Sequence, residues 1–430
     1  MANANLAGEE TTSNMDTSVD IKRLITSMTK KVDNLSTLSP KCCIFRVPKR
    51  LQQVNERAYT PIRVSIGSLH HGKNDLKPME EHKWRYLKDF LLHSQKSLED
   101  LVKFIKEREE SIRECYEETI IFNSDKFVEI ILVDAAFIIE VLLKYMYSGL
   151  INSSDRIFEK PMMILDIFQD FLLLENQLPF FVLEDLFEML VFETSTFIVL
   201  ATNFLARSDI LHDKIPNDIA STRVKHFVDL VRSFLTQREC SPPYKWRNEP
   251  VKSPTAKELH NAGIKFEAIS NKNLLDIKFM NGVMVIPKLV IDDETEGLLR
   301  NLLAFERCLY EECYMTQYMW FLDELIDSSN DVEYLVESGV IENLLGDNND
   351  ASNLINKLGV ELYLDRENFY LSKLCEELND YCNIPWHKWE ATLRRDYFKT
   401  PWGVISIVAV AILLSLTFIQ AVCSILSISK

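Results

Sequence analysis

Two adjacent histidines are the residues whose types could most directly support chemistry. His70 and His71 precede Gly72 in the stretch RVSIGSLHHGKNDLKPMEEHKWRYLKDFL. Two neutral imidazoles can bind a metal ion, and Glu80 or Glu81 would complete the ligand set. Adjacent side chains generally point apart, however, and no third ligand lies at a diagnostic spacing. The favoured interpretation is a glycine-containing loop whose imidazoles satisfy nearby backbone groups.

Two carboxylates interrupt the apolar run LVDAAFIIEVLL at 132–143, where Asp134 and Glu140 lie six residues apart. A coupled pair of this kind could perform acid–base catalysis. Six residues correspond to about 600° of helical rotation, so the two carboxylates lie on different helix faces. Because a buried unpaired charge is costly, we favour pairing of each with an Arg or Lys from another helix.

A third polar cluster, Glu175, Asn176 and Gln177, precedes Pro179 in LLLENQLPFFVLEDLF. It could be a catalytic carboxylate with amide partners, or a contact for a partner or ligand. Proline disfavours helical geometry at the preceding residue, so the first helix should end or kink there, with Glu175 near its end. Asn176 and Gln177 can then bond the freed backbone groups, while Pro179 starts the next helix. We favour a buried helix–corner–helix.

Other enzyme motifs are missing from the sequence, which has no Gly-rich phosphate loop, nucleophile elbow, HExxH or kinase motif set. The nine cysteines include no CxxC pair and are expected to be reduced and mostly buried. We predict no metal site and no cofactor. The net charge of −16 argues against general nucleic-acid binding.

Charge is unevenly distributed along the chain. Residues 41–90 carry 11 Lys/Arg against 5 Asp/Glu, whereas residues 290–381 carry 22 acids against 5 bases. The two regions could pair within one fold, which is the favoured interpretation, or present differently charged faces to partners.

The C-terminal stretch PWGVISIVAVAILLSLTFIQAVCSILSISK begins at Pro401 and Trp402, and no charged side chain occurs between Lys399 and Lys430. A helix over 402–426 would be roughly 37 Å long at ~1.5 Å per residue. That length exceeds the ~30 Å hydrocarbon core of a bilayer. The sequence therefore predicts a transmembrane helix with the lipid bilayer as its partner.

Flanking bases set the expected orientation, because Lys and Arg are retained on the cytosolic side. Four bases shortly precede the span and one follows it, which predicts a single-pass, C-terminally anchored protein with its bulk in the cytosol. The plasma membrane and the endoplasmic reticulum both remain open, as does the opposite topology. Thr417 and Gln420 could also bond another helix, so a homo-oligomer through the span is an alternative.

Helical periodicity dominates the rest of the sequence, and 127–150 is expected to be a central buried helix. Alternating apolar residues on either side of Asn281-Gly282 predict a β-hairpin, because both residues accept positive φ. The predicted fold is mainly α, a multi-helix body with a small antiparallel β-hairpin region (about 262–291) and one C-terminal transmembrane helix. The predicted segments are a mobile leader (1–40), a helical part (41–239), a Pro-rich linker (240–258), a small sheet with acidic helices (259–398) and the transmembrane helix (401–428).

Five long motifs together resemble the plant domain-of-unknown-function 247 family. They lie in the expected order at 63–91, 132–143, 172–187, 285–307 and 397–422. The resemblance implies a plant-specific, mostly helical protein that ends in one membrane helix and has no established general enzymatic activity. It also implies a role in recognition, since some grass members are implicated in self-incompatibility.

Two functional hypotheses follow. The leading one is a membrane-anchored recognition or signalling module that binds an unidentified protein partner. The alternative is an uncharacterised, hydrolase-like enzyme that uses carboxylates together with His70 or His71.

Overall fold

The computed structural model describes residues 21–29, 32, 39–153, 155–190, 196–216, 223–236, 252–270, 273–309, 313–362, 364, 368–386, 389 and 401–428. Most of the predicted leader and residues 240–251 of the predicted linker lie outside this set. Within it, residues 21–29 are helical and every one of their side chains is exposed.

Helices form most of the described chain. They are α1 (Lys49–Val54), α2 (Lys77–Ser94), α3 (Leu98–Arg113), α4 (Ser124–Met146), α5 (Pro161–Phe171), α6 (Phe180–Phe187), α7 (Phe197–Leu205), α8 (Asp209–His212), α9 (Phe227–Leu235), α10 (Ala256–Asn261), α11 (Thr295–Leu309), α12 (Tyr314–Leu325), α13 (Ser329–Glu337), α14 (Asn348–Gly359), α15 (Ser372–Asn383) and α16 (Pro401–Ile428). Short 3-10 turns lie at Glu56–Tyr59, Asn74–Leu76 and Ser148–Leu150.

Helix α4 is the centre of the N-terminal half, as its apolar sequence predicts. The Asn123 side chain accepts a hydrogen bond from the Lys126 N–H and so caps the helix at its start. Its residues are buried almost continuously from Phe127 to Lys144, and it packs against α2, α3, α6 and α7. A helix that is apolar on all sides is stable only when neighbours surround it.

Local capping signals fix where several other helices begin. Ser97 and Asp100 form a reciprocal capping box at the start of α3, and Thr255 and Glu258 form another at α10. At the start of α11, Asp292 Oδ1 accepts hydrogen bonds from the backbone of the following acidic stretch.

The β structure is small and partly differs from expectation. Strands β1 (Lys265–Ile269), β2 (Lys278–Met280) and β3 (Val283–Pro287) form a sheet in the order β1-β3-β2. The expected antiparallel hairpin joins β2 to β3 through Asn281 and Gly282, with φ of 52° and 76°. However, β1 pairs with β3 in parallel, so the expectation of a wholly antiparallel sheet is wrong. The chain leaves β1 by a loop and returns through β2, which makes β1 and β3 run in the same direction.

A second, two-stranded parallel sheet was not predicted. It pairs β4 (Leu289–Ile291) with β5 (Ile341–Asn343), which lies beyond three intervening helices. Each strand is only three residues long, too short for a local periodicity signal.

The transmembrane part of the fold prediction is overturned. Helix α16 is present, but within the described residues no helix combines the length and apolarity needed to cross a bilayer. The fold class is corrected to a mainly helical protein with a few small strands.

Candidate functional site

Residues 43–72, called the strap from here on, lie across the N-terminal helical body. Outside α1 and the 3-10 turn at Glu56–Tyr59, the strap has no regular secondary structure. Several of its residues are nevertheless fully buried, among them Val64 and Ile66. Buried backbone N–H groups need acceptors, and outside helices and strands side chains must provide them. The polar residues singled out in the sequence are these acceptors.

Glu175 holds the start of the strap. Its Oε1 accepts hydrogen bonds from the Val47 N–H at 2.8 Å and from Gln52 Nε2 at 3.0 Å. Its Oε2 accepts from the Arg46 guanidinium at 2.8 Å. Burial alone raises the pKa of Glu175, but His70, the Val47 N–H and Arg46 outweigh it and hold that pKa below its usual value. The carboxylate is therefore ionised at neutral pH.

Asn176 joins the strap to the end of α5. The Asn176 side-chain oxygen accepts from the Ile66 N–H at 2.8 Å, and Nδ2 donates to the Val64 and Asp170 carbonyls, each at 3.0 Å. The sequence placed Glu175 at the end of the first helix, whereas α5 ends at Phe171. The chain turns earlier because these side chains provide the hydrogen bonds that another helical turn would have made.

Gln177 connects two helices rather than the strap. Its Nε2 donates to the Phe171 and Leu173 carbonyls at 2.7 Å, and its Oε1 accepts from the Phe227 N–H at 3.0 Å. The C-terminal end of α5 is thereby tied to the first residue of α9. Pro179, with φ of −63°, immediately precedes α6 as its N-cap residue.

Asp170 also binds the strap, although the sequence analysis assigned it no role. Its carboxylate accepts hydrogen bonds from three consecutive backbone N–H groups, those of Ile62, Arg63 and Val64, each at 2.7 Å. Burial raises the pKa of Asp170 to about 7, and the three donors oppose that shift. A lone Asp within the apolar run FQDFLLL was the sequence signal for a buried acceptor.

Asp134 is paired as the sequence led us to expect. Lys83 of α2 donates to its Oδ1 at 2.6 Å, and the Gly67 N–H donates to its Oδ2 at 2.8 Å. The Lys83 side chain is fully buried and also contacts Glu80 at 2.7 Å. Burial raises the pKa of Asp134 to about 6, although Lys83 opposes the shift. Gly67 has φ of +70° and lies so close to Gln177 that a Cβ would meet its carbonyl oxygen at 2.7 Å.

Glu140 is paired with a histidine, whereas the sequence interpretation called for Arg or Lys. Its Oε1 lies 2.8 Å from His93 Nδ1, and its Oε2 is buried without a hydrogen-bond partner in the described part of the chain. Burial raises the pKa of Glu140, and the carboxylate raises the pKa of His93. Glu140 lies on the side of α4 that faces α2, apart from the strap contacts.

The two histidines do not form a joint site. His70 Nε2 lies 3.2 Å from Glu175 Oε2, outside good hydrogen-bond alignment, and burial lowers the pKa of His70. The ring of His71 instead meets Phe122 edge-on, with centroids 5.6 Å apart. Gly72 follows with φ of +86°. The imidazoles therefore contact a carboxylate and an aromatic ring, not the backbone groups expected from the sequence.

The remaining predicted residues lie elsewhere. Glu81 is exposed on α2 and bonds Arg85 one turn later. Pro401 opens α16, and Trp402 is 78% exposed. Over the described ranges, no group of three or more His, Cys, Asp or Glu is arranged to hold a metal ion.

Sequence reasoning also missed the strap contacts of Asn301 and His226. Asn301 Oδ1 accepts from the Leu174 N–H at 2.9 Å, while its Nδ2 donates to the Ala58 carbonyl at 2.7 Å. His226 Nε2 lies 2.9 Å from the Cys43 carbonyl oxygen. Both residues lie far along the chain from the strap, so their proximity to it leaves no local pattern.

His226 predicts an acid-sensitive fold. Its Nδ1 accepts from the Asp229 N–H at the start of α9, and its Nε2–H donates to Cys43, so the ring is neutral. Burial lowers the pKa of His226 to about 4, against 6.5 in the unfolded chain. The unfolded state then binds more protons between these values, so stability is full above pH 6.5 and is lost as the pH falls through 4. The maximum loss is about 3 kcal/mol at ~1.4 kcal/mol per pKa unit.

Unfolding midpoints in urea, measured from pH 7 to pH 4, test this expectation. The matched variant is His226→Asn, which keeps an N-cap acceptor but does not titrate. Its acid dependence should be clearly shallower than that of the wild-type chain. Equal slopes in the two proteins would contradict the assignment.

The arrangement is suited to holding the strap and poorly suited to catalysis. Both oxygens of Glu175 already accept hydrogen bonds, and the carboxylate and His70 are 2% and 3% exposed. A cleft of ≈ 70 Å³ opens nearby between the strap, α5 and α11, and it is lined by Arg57, Asp170 and Glu294 among others. Neither His70 nor His71 lines it.

Comparison with known proteins agrees with the motif resemblance. The family model DUF247, described as a plant protein of unknown function, matches residues 44–416. The UPF0481 protein At3g47200 of Arabidopsis thaliana is 30% identical over 415 residues, which cover 90% of this chain and 87% of that protein. A second Arabidopsis thaliana relative, named as the UPF0481 protein At3g02645, is 24% identical over 476 residues, with 88% and 89% covered. No solved structure matches. Because the family model covers most of the chain, this protein belongs to the DUF247 family of plant proteins of unknown function.

Proposed function

We propose that this chain is a protein-recognition module that binds a partner protein through the helix at residues 21–29. One observation carries the proposal. Ile21, Leu24, Ile25 and Met28 follow the i, i+3, i+4, i+7 spacing of a single helix face, and each is 56–61% exposed. Every side chain of residues 21–29 is exposed, so the stripe is open to solvent in this structure.

The chemistry of the helix indicates the kind of partner. A short isolated helix is marginal in water, so it gains stability when its apolar face enters a groove. Between residues 21 and 32 the sequence has four bases and no acid. The fitting partner is therefore a protein with an apolar groove bordered by acidic side chains.

The recognition role implied by the family resemblance supports the same class of function. The buried polar residues support it indirectly, because their hydrogen bonds position the strap and leave Glu175 no free oxygen to act as a general base. The hydrolase alternative rests on the approach of His70 to Glu175, and both side chains are closed off from solvent.

Proximity labelling in plant tissue with matched variants tests the proposal. Leu24→Glu puts a charge on the apolar stripe, and Thr26→Glu puts the same charge on the opposite side of the helix, about 200° further around. Partners should be enriched equally by the wild-type chain and T26E and be lost with L24E. Identical partner sets for all three proteins would refute the proposal.

The helix at residues 21–29 could instead bind a second copy of this chain, because residues 290–381 are strongly acidic. Light scattering of the purified full chain separates the two cases. The proposal predicts the same mass for wild type and L24E. If the wild-type chain is a dimer and L24E abolishes the dimer, the groove that binds the helix belongs to a second copy of this protein. That result would overturn the claim of a separate partner.

A further inference from the structure

Two cysteines meet where the strap begins. Cys43 is at its first residue and Cys115 lies just beyond α3, and each is 3% exposed. The N–H groups of Cys43 and Ile44 both donate to the Cys115 carbonyl at 2.9 Å, and the Glu117 N–H donates to the Ile44 carbonyl at 3.0 Å. Ile44 and Tyr116 form a parallel bridge. Parallel register then places Cys43 opposite Cys115.

This placement fits the geometry of a disulfide. Paired extended segments lie ~4.8 Å apart. Disulfide-bonded cysteines have Cα atoms about 4.4–6.8 Å apart. Side chains at matched positions of a parallel pair also project to the same side.

The Cys115 thiol donates a hydrogen bond to the Ser111 carbonyl at 3.3 Å. The neighbouring Cys43 thiol lowers the pKa of Cys115 against the opposing effect of burial, with Lys41 as a smaller contributor. Cys115 is therefore the more readily ionised thiol of the pair, and the thiolate is the form that reacts with oxidants.

We propose that Cys43 and Cys115 form a reversible disulfide that fixes the start of the strap to the end of α3 when a peroxide is present. The Cys115 thiolate attacks one peroxide oxygen, which gives a sulfenic acid and releases hydroxide. The Cys43 thiol then attacks the sulfenic sulfur, which forms the S–S bond and releases the sulfenic oxygen as water, while the hydroxide takes up the proton lost by Cys115 and gives the second water. Two thiols and one hydrogen peroxide thus give one disulfide and two waters.

The register of the bridge selects Cys43 rather than the adjacent Cys42. Because Ile44 lies opposite Tyr116, Cys43 and not Cys42 lies opposite Cys115. The expected cross-link is therefore specific to Cys43. Closing a loop from residue 43 to residue 115 reduces the entropy of the unfolded chain. It also fixes the point from which the exposed helix at 21–29 extends.

Peptide mapping of the full chain tests the proposal. The purified protein is treated with a small excess of hydrogen peroxide, remaining thiols are alkylated, and the chain is digested with trypsin without reduction. Wild type should give a cross-link between peptides 42–46 and 114–126, which dithiothreitol removes. Because peptide 42–46 contains both Cys42 and Cys43, variants must assign the bond. The cross-link should persist in C42S and vanish in C43S.

Absence of the cross-link in wild type, or its persistence in C43S, would overturn the proposal. A measurement on the wild-type chain alone keeps the test valid if C43S fails to fold. Peroxide should raise the thermal unfolding midpoint, and dithiothreitol should return it to the starting value. An unchanged or lowered thermal unfolding midpoint after oxidation would contradict the proposed disulfide.

Discussion

Replacing Asp170 with alanine is expected to destabilise the protein by about 3 kcal/mol or more. The substitution leaves three consecutive strap N–H groups, of Ile62, Arg63 and Val64, without their acceptor. Each buried donor left unsatisfied costs ~1–3 kcal/mol. Asp170 is 1% exposed, so its carboxylate and not bulk water satisfies these donors in the folded chain. Urea unfolding followed by circular dichroism measures the loss.

Two variants sharpen this test. Asp170→Asn retains one acceptor oxygen and the shape of the side chain, so its loss should fall between those of wild type and D170A. Asp166→Asn removes only the partly exposed ion pair with Arg63 and should cost no more than ~1 kcal/mol. Hydrogen exchange should show faster exchange at residues 62–64 in D170A. A D170A chain as stable as D166N would disprove the anchoring role.

Replacing Lys83 with methionine is expected to have an effect of similar size, about 3–5 kcal/mol near neutral pH. Met has a similar volume to Lys, so the change chiefly removes the charge next to Asp134, which is fully buried. The carboxylate would then be buried with only the Gly67 N–H as a close donor. A thermal or urea unfolding midpoint at pH 7.5 gives the measurement, and Lys88→Met on the exposed side of α2 is the matched control.

The pH dependence of K83M provides a second readout. Burial raises the pKa of Asp134 above its unfolded value, and Lys83 opposes this shift, so removing Lys83 raises that pKa further. The folded state then binds the extra proton, and stability falls as the pH rises through the folded pKa. K83M should recover part of its loss between pH 7.5 and pH 5. The double variant K83M/D134N, which has no buried charge there, should be less pH-dependent. A pH-independent deficit in K83M would contradict this account.

Several local features followed from the sequence because their causes are local. Asn281-Gly282 predicted a hairpin, since both residues tolerate positive φ. The apolar density of 127–150 predicted the buried α4. Pro179 predicted a break between two helices, but the end of α5 at Phe171 could not be located from the sequence. That end is set by side-chain hydrogen bonds to carbonyls, which periodicity does not encode.

The family, the mainly helical character, the hairpin turn and the burial of Asp134, Glu140 and the Glu175–Gln177 cluster could all be predicted from the sequence. Composition, periodicity and turn chemistry act over a few residues and can be recognised in order along the chain. The packing of distant segments decided, by contrast, that Asp170, Glu175 and Asn176 accept hydrogen bonds from backbone N–H groups of a strap more than 100 residues earlier. It also decided the parallel pairing of β1 with β3 and the approach of Cys43 to Cys115. These contacts depend on how distant segments pack, because a buried N–H group takes whichever acceptor the folded chain brings to it.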